Sequence, residues 1–109
     1  MQCNLESVQA TFAKMAADGW DTNNPLKWGF FFVHSSKAPL LKVFGELQDH
    51  DYKTESIHQS DDGAWVLQVS KTEVLAAEKL HRRNLAFNEL AEHCGVDLYD
   101  GWDVGKPEA

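Results

Sequence analysis

The nitrogen and sulfur side chains of this sequence that could hold a transition-metal ion are those of five histidines and two cysteines. Metal sites often place two ligands at HExxH, His-x-His or CxxC spacing, so that both reach one ion. None of these spacings occurs, and the adjacent His93 and Cys94 point in different directions on a predicted helix. We therefore predict no metal and no cofactor.

Nucleophilic catalysis would need a serine or cysteine beside a positioned base. Cys3 and Cys94 lie far apart in the chain, and Cys94 falls on a predicted apolar stripe, as expected of a small core residue. No serine lies in a recognisable nucleophile motif. We predict no catalytic residues, no disulfide and no enzymatic activity.

With metal binding and catalysis set aside, the remaining role for these side chains is to bind a partner. The candidate segment is YDGWDVG near the C-terminus. Aromatic rings offer a large contact area at little entropic cost. The predicted partner-binding residues are Tyr99, Asp100, Gly101, Trp102 and Asp103. The alternative is a purely structural last strand with a bulge at Gly101. Alternation makes one ring core and the other partly exposed, unless a bulge re-aims the chain.

Charge restricts the class of partner. Seventeen acidic against ten basic residues give a net charge of −7, which opposes nucleic-acid binding and favours a basic protein partner. The basic run KLHRR at 79–83 is predicted to be a solvated helix face, with a phosphate contact as the alternative. Asp97, Asp100 and Asp103 with Glu92 indicate a solvated acidic edge, because no loop geometry for a divalent cation accompanies them.

Length and composition indicate one domain spanning residues 1–109, with 43% hydrophobic residues to build a core. No apolar run is long enough to cross a bilayer, and the first residues lack the pattern of a signal peptide. We expect a soluble, cytoplasmic protein without a membrane partner.

Hydrophobic periodicity divides the chain into an N-terminal helix within 1–19 and a core over 26–104. In the core it predicts a strand over 26–34, a helix capped by Ser35 or Ser36 that ends near residue 50, strands over 52–59 and 64–70, a helix over 77–94 and a closing strand. Asn4 is the predicted N-cap of the first helix, and Gly95 stops the last one.

The order strand, helix, strand, strand, helix, strand predicts an α+β fold: a ferredoxin-like βαββαβ antiparallel sheet with an additional N-terminal helix. Both core helices would then lie on one sheet face. The first strand, LKWGFFFVH, is apolar on both of its faces, so the other sheet face also needs cover. The stripe Leu5, Val8, Phe12 and Met15 predicts that the N-terminal helix covers it; otherwise a homodimer partner must.

Asn84 falls on the apolar stripe of the last helix, between Leu80 and Phe87. A buried amide without a hydrogen bond costs about 1–3 kcal/mol. We expect a structural bond to the backbone of the 71–74 segment, with a ligand contact as the alternative.

The segments KWGFFFV, WVLQVSKTEV and LHRRNLAFNELAEHCGVDLYDGWDV resemble the RraB-like family, the regulators of ribonuclease E activity B. The resemblance extends over most of the chain and is densest from Leu80 to Val104. It implies a non-enzymatic ferredoxin-like protein that binds ribonuclease E, or a related basic protein, and modulates RNA degradation.

Two other functions share this strand order. An RNA-binding domain would stack bases on aromatic residues of the central strands, here Trp28, Phe30, Phe32 and Trp65, although the negative charge opposes it. A small-ligand sensor is the other alternative, and it rests on analogy of fold alone.

Overall fold

A computed structural model describes residues 3–106. Its elements in chain order are α1 (Leu5–Ala17), β1 (Leu26–His34), α2 (Ala38–Gln48), β2 (Lys53–Gln59), β3 (Trp65–Glu73), α3 (Ala77–Cys94) and β4 (Leu98–Gly105). The four strands form one antiparallel sheet in the order β2-β3-β1-β4. The predicted α+β ferredoxin-like order with an extra N-terminal helix is confirmed, and β3 runs three residues beyond its predicted end.

The helix ends follow the local sequence with one exception. Asn4 caps α1 by accepting a 3.2 Å hydrogen bond from the Ser7 amide, and Gly95 ends α3 in the left-handed conformation with a φ of 74°. The predicted serine cap of α2 is wrong. That helix begins after Lys37 without a side-chain cap, and Pro39 in its first turn supplies a helical φ instead.

The core lies between the sheet and the helices. Trp28, Phe30 and Phe32 project from one face of β1 and are 0% exposed. Phe87 of α3 meets Phe30 edge-on, with ring centroids 5.0 Å apart and planes at 88°. The indole N–H of Trp28 donates a 3.0 Å hydrogen bond to the Glu73 carbonyl, which satisfies its one polar group inside the core.

Helix α1 packs on this same face, so the prediction that it covers the opposite one is wrong. The Phe12 ring stacks on Trp28 at a centroid distance of 5.7 Å and an interplanar angle of 11°. Trp28 shares its side of β1 with Phe30, which contacts α3, and α1 also contacts α3 directly. Helix α2 also contacts α3, and its Leu47 lines a cleft together with Phe87, so all three helices lie on one face of the sheet.

Burial of the central aromatics bears on the RNA-binding alternative. Trp28, Phe30 and Phe32 lie beneath the helices, where no base can reach their ring faces. Trp65, the fourth ring predicted for that platform, is partly exposed, but it is left without the three neighbouring rings on which successive bases would stack. Among the described residues, no helix is both long enough and apolar enough to span a membrane.

We expect Phe12→Ala to lower the free energy of unfolding by about 1–3 kcal/mol, because it removes a half-buried ring stacked on Trp28. The matched control is Gln9→Ala, an exposed position on the same helix, which should change stability by less than about 0.5 kcal/mol. Urea denaturation measures both. Equal stability of the two variants would contradict the position of α1.

Candidate partner-binding surface

Strand β4 contains a bulge in the middle of the predicted recognition segment. Gly101 pairs with Phe31 and Tyr99 pairs with Phe32, so Asp100 is an extra residue without a partner on β1. Gly101 has a φ of 123°, a conformation that L residues with a side chain rarely adopt. The bulge predicted as one alternative is thus present at Gly101.

The bulge turns both aromatic residues of the segment toward the helices. Tyr99 is 1% exposed and packs against Phe32 and Phe87. Trp102 is half-buried. Its ring centroid lies 5.7 Å from that of Trp28 and 6.5 Å from that of Phe12. One ring is core and the other partly exposed, yet both point to the same face.

Tyr99 anchors β4 to α3 through a buried hydrogen bond. Its hydroxyl donates to Asn84 Oδ1 at 2.6 Å, and burial raises the pKa of Tyr99 well above its ordinary value. The expected bond of Asn84 to the 71–74 backbone is therefore wrong. Within residues 3–106 the Asn84 Nδ2 group has no hydrogen-bond partner, so the bond from Tyr99 is what offsets burial of this amide.

The five predicted partner-binding residues thus separate by burial. Tyr99 and Gly101 are buried and have a structural role in β4. Asp100 and Asp103 are exposed, and Trp102 is half-buried. The Asp103 carboxylate lies over Gly29 of β1, where a Cβ atom would overlap its Oδ1. Glycine at position 29 therefore leaves the space that this carboxylate occupies.

Exposed carboxylates occur at the end of α3, in the loop after it and on β4. We call the following set the acidic surface: Glu89, Glu92, Asp97 and Asp100. Asp103 is exposed too, but it projects from the sheet face opposite the helices and is not part of this set. Residues 84–105 contain no lysine or arginine, so this part of the chain carries one sign of charge. The described residues include no group of three or more His, Cys, Asp or Glu placed to hold a metal ion. What these groups can do is attract a cationic segment.

A second group of polar residues lines a cleft of about 370 Å³ between α2, α3 and the start of β2. Arg83 lies there half-buried and donates two hydrogen bonds to the Glu73 carboxylate, at 2.7 and 3.0 Å. The prediction that the whole 79–83 run is solvated is therefore wrong for Arg83. Its guanidinium also lies 5.7 Å from the Tyr52 ring centroid.

The ion pair sets the ionisation of this cleft. Burial alone would raise the pKa of Glu73, but the hydrogen bonds and charge of Arg83 outweigh it and hold that pKa below its ordinary value. Burial raises the pKa of Tyr52 to about 12, against the opposing charge of Arg83. Because Glu73 neutralises Arg83, the pair serves to join β3 to α3 rather than to bind an anion.

Sequence reasoning missed the position of Arg83 and the partner of Asn84. The signal for Arg83 was its spacing of three from Leu80, which puts it at the margin of the apolar stripe. Nothing local could identify Tyr99 as the partner of Asn84, because the contact depends on the bulge in β4.

Comparison with known families matches the chain to the family described as regulator of ribonuclease activity B, over residues 6–104. The matched range includes every element from α1 to the Trp102 region of β4. No curated protein matches the chain.

We expect Gly101→Ala to destabilise the fold by at least about 1 kcal/mol, because alanine is strained at a φ of 123°. The matched control is Gly45→Ala, in the exposed middle of α2, where an added Cβ meets nothing within 4 Å. Alanine there should stabilise by about 0.5–1 kcal/mol through helix propensity. Thermal melting of both variants should show shifts of opposite sign; a harmless Gly101→Ala would argue against the bulge.

Stability should fall in acid partly through Glu73. A carboxylate with a lowered folded pKa contributes stability above its ordinary pKa of 4.5, and that contribution is lost as pH falls through the folded value. Glu73→Gln should therefore be less stable than the unmodified chain at neutral pH and lose less stability on acidification. Glu89→Gln, exposed on the same helix as Arg83, is the control. Parallel pH profiles for the Glu73→Gln and unmodified chains would contradict this role.

Proposed function

The chain belongs to the regulator of ribonuclease activity B family, and on that premise we propose that it is a non-enzymatic regulator of a ribonuclease E-type endoribonuclease. In this proposal it binds the enzyme by protein contacts and lowers the rate of RNA cleavage. It would act in the cytoplasm, where such an enzyme meets its RNA. Family membership is the observation that carries the proposal.

The charge of the chain supports a basic protein as the partner. The net charge of −7 opposes direct contact with RNA, so an effect on RNA cleavage is better explained by binding the enzyme. Burial of Trp28, Phe30 and Phe32 removes the aromatic platform that an RNA-binding sheet would use. Both observations favour inhibition through the protein rather than competition for its substrate.

We place the contact on the acidic surface around β4. Asp100 is exposed because the bulge leaves it outside the ladder, and it follows the buried anchor Tyr99 directly. Half-exposed Trp102 adds an aromatic ring that Phe12 and Trp28 already hold in place. A rigid aromatic beside exposed carboxylates suits a cationic segment, because little side-chain entropy is lost on binding.

The test measures association of the purified chain with a purified ribonuclease E-type enzyme, together with the RNA cleavage rate. Replacing Glu92 and Asp100 by lysine should slow association by about tenfold and flatten its salt dependence. The matched control replaces Glu46 and Asp49, two exposed acids at the end of α2, by lysine. That control changes the net charge equally, at exposed positions outside the acidic surface, and should retain most of the binding.

Two results would contradict the proposal at different levels. If the unmodified chain neither binds the enzyme nor slows cleavage, the function is wrong. If both charge variants lose binding equally, only the net charge matters and the acidic surface is not the contact. Unchanged melting temperatures in both variants are required before either conclusion is drawn.

A further inference from the structure

No helix of residues 3–106 covers the sheet face opposite α1, α2 and α3, and we call it the open face. At one end it carries an apolar patch, formed by Phe31, Val33, Val66 and Leu98. Val33 is directly opposite Val66 on β3 and Leu98 on β4, so the patch continues across three strands. The first three side chains are partly exposed and Leu98 is 39% exposed. A continuous apolar patch on a sheet face is typical of a surface that becomes buried in an assembly.

The other end of the open face is polar and its charges cancel. Lys27 Nζ lies 2.8 Å from Glu55 Oε1, which also accepts a 2.6 Å hydrogen bond from the Ser70 hydroxyl. With Lys53 and Asp103, the strands place two cations and two anions on this face. A face with no net charge is exceptional in a chain of charge −7.

We propose that two copies of this chain associate through their open faces. In a two-fold dimer the same patch meets itself, so the apolar end of one copy covers the apolar end of the other. Two copies of net charge −7 repel each other, and a neutral face is where they can approach at the least electrostatic cost. A basic partner, by contrast, would find no net negative charge to bind here.

The size of the face sets the expected strength. Four strands about 4.8 Å apart and about eight residues long cover roughly 500 Å² per copy. The total of about 1,000 Å² is at the lower limit of specific interfaces. The dimer should therefore be reversible, with a dissociation constant in the micromolar range. Apolar burial drives this dimer, so added salt does not remove its driving force. Salt also screens the repulsion between the two negatively charged copies, so it should strengthen dimerisation.

Sedimentation equilibrium over about 1–500 μM tests the proposal directly. Val66→Lys should weaken dimerisation at least about tenfold by placing a charge in the patch. Leu98→Lys, on an edge strand and already exposed, repeats the test where a folding defect is least expected. The matched control is Leu85→Lys on α3, a residue 44% exposed on the helix side, which should dimerise normally. Circular dichroism verifies that each variant is folded.

Three outcomes would overturn the dimer: a monomer at every concentration, equal weakening by Leu85→Lys, or weakening by salt. The proposal does not depend on ribonuclease binding, and a parallel inhibition assay keeps the two apart. Val66→Lys should remain an inhibitor if the contact lies on the acidic surface. If it loses inhibition while the unmodified chain is monomeric, the open face binds the ribonuclease and the dimer is refuted.

Discussion

The bulge in β4, where Asp100 is an extra residue, determines how this last strand packs against α1 and α3. If residues 99–102 were paired regularly, without the bulge, Tyr99 and Trp102 would point to opposite faces of the sheet, because side chains alternate along a strand. With it, Tyr99 reaches Asn84 on α3, and Trp102 packs against Phe12 on α1. The bulge therefore gives α1 an aromatic surface on the face that α3 already occupies. The opposite face stays open as a consequence.

The same bulge separates two surfaces of different character. Along the edge, Asp100 stands outside the ladder and joins a region with one sign of charge, which suits long-range attraction of a cationic partner. On the open face the charges are balanced across strands and one end carries an apolar patch, which suits short-range packing. The edge with Asp100 is thus suited to attract a cationic partner over a distance, and the open face is suited to close packing.

The sequence predicted the elements well where one face of an element is apolar and its ends carry clear signals. Strand β1 and helix α3 have the predicted bounds, and Asn4 and Gly95 act as the predicted caps. The side of the sheet that α1 covers could not be predicted. Its stripe from Leu5 to Met15 fits either apolar face of β1, and the choice depends on Trp102, brought there by a bulge about ninety residues later. Propensity carries no information over that distance.

The two edges of the sheet explain why association should involve its face and not its margins. Strand β4 is interrupted by its bulge, and the opposite edge β2 has an irregular register at Glu55 and carries exposed Lys53 and His58. Bulges and charged side chains on edge strands hinder pairing with another chain, which would otherwise continue without limit. Face-to-face contact has the opposite property, because two copies bury each other's patch and leave none for a third. A sheet with protected edges and one open, neutral face therefore favours a closed pair over open-ended aggregation.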